Sequence, residues 1–157
     1  MAINQMEVEE NIPQIDIIYN KRVKSNKLIQ LSTSERTNEV LRLIWSSKIE
    51  LCEEFVLLLL NRANKCLGYI KMSQGGICGT VVDSKLILGI ALKSAATGII
   101  ISHNHPSGNA QPSMEDIKLT KRLNECCRLF GIQLLDHVII SGDTEHYYSF
   151  ADEGAII

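Results

Sequence analysis

Aromatic side chains are scarce, at 5% of the 157 residues, so any core must be mainly aliphatic. No apolar run approaches the roughly 18 residues that a membrane-spanning helix needs. Neither charge dominates: 16 Lys and Arg stand against 18 Asp and Glu, for a net charge of −2. That balance argues against a strongly basic surface for nucleic acid, while leaving room for a local patch. Residues 1–14 lack both a basic segment and an apolar core, so no signal peptide is expected. The five cysteines (Cys52, Cys66, Cys78, Cys126 and Cys127) contain no Cys-x-x-Cys pair, which leaves a cysteine zinc site little support. An odd count without an export signal reads as reduced thiols in the cytoplasm. Cys126 and Cys127 are adjacent in an expected helix and read as helix filler rather than as a catalytic thiol.

Apolar residues are plentiful, at 45%. A chain of this size can bury on the order of two-thirds of its unfolded surface, so it forms one domain without disulfides. Whole-chain disorder is excluded on the same ground.

The spacing of apolar residues gives an α/β order. Residues 1–13 read as an arm, 15–19 as an edge strand, and 20–32 as a basic irregular segment with Lys21, Arg22, Lys24 and Lys27. Ser32 and Glu35 have capping-box spacing and predict a helix over 33–47. The unbroken run Phe55 to Leu60 predicts a buried central strand, with a returning strand at 66–73. Gly75 and Gly76 break the chain. A helix is expected over 84–96, stopped by Gly98. A short strand at 99–102 should end just before His103. A helix over 114–130 should stop at Gly131, and strands are expected at 132–140 and 145–150.

Two of the four histidines are His103 and His105. In extended backbone, residues two apart project to one face, so both imidazoles can converge on one point. Asp116 falls in the first turn of the next helix and can complete a three-ligand set. Two His, one carboxylate and a water describe an open catalytic zinc site. A competing reading is local: Ser113 to Asp116 is a capping box, in which Asp116 faces the Ser113 amide and binds nothing. Ser113 could instead aim its hydroxyl at a developing oxyanion. Glu53 and Glu54 head the buried strand, as a solvated end or as a placed general base.

His103, His105, Ser113 and Asp116 have the form His-x-His-x7-Ser-x2-Asp, which resembles the JAMM motif of MPN-type metalloproteases. The wording His-Asn-His-Pro-Ser-Gly, with Asp136-His137-Val138-Ile139 and Tyr148-Ser149-Phe150, resembles the C-terminal domain of the RadC family of bacterial and mobile-element proteins. The likeness covers roughly residues 30–157. It implies a single JAMM/MPN-like (cytidine-deaminase-like) α/β domain over 31–157, a mixed central sheet flanked by helices, after an arm at 1–30. It implies one Zn²⁺ on His103, His105 and Asp116, with Ser113 assisting the oxyanion. The family pattern places its glutamate two residues before an aromatic, which selects Glu53 over Glu54. RadC proteins usually carry an N-terminal helix-hairpin-helix region, and too few residues precede Glu53 to hold it beside the helix at 33–47.

The implied activity is hydrolysis of a peptide or isopeptide amide in an unidentified protein or peptide substrate. The alternative is a non-catalytic protein- or DNA-interaction module with a structural or vestigial metal, linked to DNA repair or mobile-element biology. Binding of DNA would place Lys21, Arg22, Lys24 and Lys27 on phosphates and weaken steeply with salt. His137 reads as a hydrogen-bonded structural histidine that could support the site. The string His-Asn-His is not an HNH nuclease signature, whose residues are dispersed along the chain.

Overall fold

The computed structural model describes residues 23–74 and 83–156. The expected arm and edge strand, Lys21, Arg22, Cys78 and the break at Gly75 and Gly76 lie outside the described residues.

Helix α1 spans Ser34–Ile44. Its N-cap is Thr33, not the expected Ser32: the Thr33 hydroxyl accepts the Arg36 N–H at 3.1 Å. Two adjacent hydroxyl residues offered two registers, and Glu35 serves as a first-turn acid rather than as a capping-box partner. The helix ends at Ile44, three residues before the expected limit, where Trp45 turns extended at ψ 159°.

Strands β1 (Glu54–Leu60) and β2 (Cys66–Gln74) form an antiparallel hairpin. Its turn uses Asn64 at φ 53°, a left-handed value that asparagine tolerates. Helix α2 spans Ser84–Lys93, capped by Asp83. Gly98 does not stop it. Ala95, at φ 52°, turns the chain, and Gly98 opens strand β3, Gly98–His105. Helix α3 spans Met114–Leu129, followed by Gly131 at φ 66°. Strands β4 (Gln133–Ser141) and β5 (Tyr147–Ser149) are the last elements among the described residues.

The five strands lie in the order β2-β1-β3-β4-β5, a mixed sheet in which only β3 and β4 run parallel. Helix α3 is the crossover between that parallel pair, as such a connection requires. The unbroken apolar run of β1 is explained by burial on both faces. Phe55, Leu57 and Leu59 pack with Ile99, Ile101, Ile87, Ala91 and Leu123. Val56, Leu58 and Leu60 pack with Leu41, Ile100, Val138 and Ile140. Each such side chain contributes about 1.5–3 kcal/mol when fully buried. No helix among the described residues is long and apolar enough to cross a membrane.

Both faces matter for the site. Phe55 stands opposite His103, Leu57 opposite Ile101 and Leu59 opposite Ile99. Directly opposed residues share a face. His103 and His105 therefore continue the stripe of Ile99 and Ile101 on the face that α2 and α3 cover.

Candidate metal centre

Both histidines lie inside β3, which runs three residues past the expected end at Ser102. The strand is held on one side by β1 and on the other by β4 up to the pair His105 and Ser141. The His105 carbonyl accepts N–H groups from Gly108 and Gly142, so the strand end is pinned on both sides of the following turn.

Helix α3 delivers the carboxylate. Its first turn carries a full capping box: the Ser113 hydroxyl accepts the Asp116 N–H at 3.2 Å, and Asp116 Oδ2 accepts the Ser113 N–H at 2.7 Å. The Ser113 hydroxyl also donates to Asp116 Oδ2 at 2.7 Å. The capping and ligand readings of Asp116 are thus compatible. Oδ2 is occupied by Ser113, while Oδ1 lies 3.2 Å from His103 Nε2.

His103 Nε2 lies 3.0 Å from His105 Nε2, and His105 Nε2 lies 3.7 Å from Asp116 Oδ2. Ligands about 2.0–2.1 Å from a tetrahedral zinc sit about 3.4 Å from one another. The observed separations of 3.0, 3.2 and 3.7 Å bracket that value. His105 Nδ1 lies 2.6 Å from the Asn109 carbonyl, which can only accept, so Nδ1 carries a proton, and in the neutral ring Nε2 is the lone pair. Burial pushes His103 down to about 4, against the raising effect of Asp116, so it is neutral at pH 7. These three residues could hold a metal ion, and donor type, spacing and protonation all fit zinc.

Behind His103 stands a second buried histidine. His137 Nε2 lies 3.0 Å from His103 Nδ1, and its Nδ1 lies 2.7 Å from Thr120 Oγ1. The His137 ring stacks on Phe150 at 4.8 Å and is fully buried, which drives its pKa well below the usual value. His137 is therefore both a structural histidine and a direct neighbour of a candidate ligand.

Glu53 and Glu54 part at the entry to β1. Glu54 is fully buried, and its Oε1 accepts the Ser46 hydroxyl at 2.6 Å. It alternates with Phe55, so it faces away from the histidines. Glu53 is half-buried, just ahead of the strand. Extending the register from Phe55 and His103 by two residues sets it opposite His105. Asn104, between the two histidines, faces the other way. Its Nδ2 donates to the carbonyls of Ile49 and Cys52, and its Oδ1 accepts the Glu54 N–H at 2.7 Å. One fully buried side chain thus grips the backbone on both sides of Glu53. Sequence reading missed Asn104 and Thr120. Thr120 had one signal, its position four residues after Asp116 on the same helix face.

Among the described residues, the cysteines offer no rival centre. Cys127 is buried in α3 and burial pushes its thiol up to about 11, while Cys66 is raised by the same cause. Neither favours a thiolate at pH 7. Lys24 and Lys27 are exposed beside a short 3-10 turn.

The family model for the RadC-like JAB domain matches residues 31–155. A UPF0758 protein of Flavobacterium johnsoniae is 38% identical over 147 residues, covering 85% of this chain and 63% of that protein. One from Porphyromonas gingivalis is 45% identical over 104 residues, covering 66% of this chain and 45% of its own length. One from Coprothermobacter proteolyticus is 38% identical over 131 residues, covering 80% and 55%. The chain thus spans about half to two-thirds of the curated relatives it matches.

Proposed function

The chain belongs to the RadC-like JAB domain family, and from that premise we propose that it is a zinc-dependent hydrolase of the JAMM type, cleaving a peptide or isopeptide amide bond. The observation that carries this reading is the convergence of His103 Nε2, His105 Nε2 and the Asp116 carboxylate: 3.0 Å between the nitrogens, 3.2 Å from His103 to Oδ1 and 3.7 Å from His105 to Oδ2. Three protein ligands leave a fourth position for water or substrate.

Held by His103, His105 and Asp116, a zinc ion would supply Lewis acidity and lower the pKa of a water to about 7. The protein's own groups do the rest. Glu53, on the histidine side of β1, accepts a proton from the attacking water and returns it to the leaving amine. The Ser113 hydroxyl turns from Asp116 Oδ2 to the carbonyl oxygen as that oxygen gains negative charge. Asp116 keeps its orientation through the Ser113 N–H, a bond that does not depend on the hydroxyl. Asn104 fixes the backbone that carries Glu53.

The test is turnover of isopeptide and peptide amides by the zinc-loaded chain, with Glu53→Gln as control. Cleavage lost in the variant supports the reading. Zinc binding without turnover of any amide supports a binding module with a structural metal instead.

A further inference from the structure

Only one set of directions makes hydrogen bonds of all three contacts behind His103. Thr120 Oγ1 lies 2.6 Å from the Asp116 carbonyl oxygen, which can only accept. The single hydroxyl hydrogen of Thr120 is thereby committed. Towards His137 Nδ1, at 2.7 Å, Thr120 must accept, so Nδ1 of His137 carries a proton. His137 is fully buried, and among the described residues its ring partners are His103 and Thr120, neither of them a carboxylate, so its ring is neutral and its Nε2 is a bare lone pair. That lone pair faces His103 Nδ1 at 3.0 Å, so His103 Nδ1 carries a proton. In the neutral tautomer with its proton on Nδ1, His103 presents its lone pair at Nε2.

From this chain of directions we propose that Thr120 and His137 are positioning residues, forming a relay that locks His103 in the tautomer a metal requires. The relay starts at the main-chain carbonyl of Asp116, so one candidate ligand sets the protonation of another. It ties α3, β4 and β3 together at the site. In many metal sites a carboxylate or carbonyl fixes the ligand histidine; here a neutral imidazole does so.

The inference rests on the metal reading for its purpose but not for its first test. In the ¹⁵N-labelled, metal-free chain at pH 7, long-range ¹H–¹⁵N correlation of the histidine rings should show His103 and His137 both protonated at Nδ1. A proton on His103 Nε2 would overturn the relay, whether or not the chain binds zinc. The second test is zinc affinity by competition with a chromophoric chelator. Thr120→Val, which keeps the shape and removes the hydroxyl, should weaken zinc by about 10- to 100-fold. Thr120→Ser should restore binding to near wild type. Unchanged affinity in a folded Thr120→Val variant would refute the positioning role. Wild-type chain that fails to bind zinc would sink the metal reading, and the tautomer result would still decide the relay.

Discussion

Phe55 stands directly opposite His103 across the antiparallel pair β1 and β3, their rings parallel to within 3° with centroids 6.4 Å apart. That pairing puts the adjacent Glu54 on the opposite face from His103. Side chains alternate along a strand, so Glu54 turns to the face of α1, where Ser46 meets it. Glu53 lies just ahead of the strand, and extending the alternation by one residue would give it the parity of Phe55.

Glu53→Gln should therefore lower turnover by about 10²- to 10⁴-fold, the usual contribution of a positioned base, and should leave zinc content unchanged. Glu54→Gln should leave turnover near wild type and alter mainly stability. Activity retained in Glu53→Gln and lost in a folded Glu54→Gln would reverse the assignment.

Ser113 has two separable duties. As N-cap it accepts the Asp116 N–H, and removing such a cap costs about 1 kcal/mol. As an oxyanion donor its loss should cost about 10²- to 10³-fold in kcat. Ser113→Ala should show both effects while keeping metal, because the Ser113 N–H still holds Asp116. Urea denaturation and single-turnover kinetics measure them independently, and a stability loss with unchanged kcat would confine Ser113 to capping.

Asn104→Ala removes three hydrogen bonds, one buried and two part-buried, to the segment that carries Glu53. Each buried group left unpaired costs about 1–3 kcal/mol. The expected outcome is a lower Tm and a lower kcat at about one zinc per chain. A kcat equal to wild type would show that Glu53 is placed without this clamp.

Asp136 predicts a pH dependence of stability. Burial raises its carboxyl from 3.8 to about 6, against hydrogen bonds from Ser149 and Ala151. Between these values the folded protein holds the proton that the unfolded chain releases, so stability falls as pH rises from 3.8 to about 6 and levels off above it. The shift corresponds to about 3 kcal/mol at most. Urea unfolding should show this slope in wild type and not in Asp136→Asn. Parallel profiles for the two proteins would contradict it.

Much of this fold was legible because its strongest signals are local. The run Phe55 to Leu60 is apolar throughout because both of its faces are covered. The parity of His103 and His105 and the capping box at Ser113 are short-range patterns, and all three residues stand where such patterns put them. What was illegible depends on tertiary partners. His137 meets His103 across 34 residues, Thr120 meets His137 across 17, and Asn104 reaches back 50 to Glu54. No window of sequence contains those bonds. The errors at Ser32 and Gly98 have a simpler cause: a neighbouring residue, Thr33 or Ala95, met the same backbone need first.

The central claim is that His103, His105 and Asp116 hold a metal ion. Elemental analysis of the chain purified without a metal-affinity tag, as wild type and as His105→Ala, tests it most directly. The account predicts about one zinc per chain in wild type, as a single three-ligand site requires, and its loss in the variant. Wild-type protein that carries no zinc and takes up none when it is supplied, or a variant that retains it in full, would contradict the account.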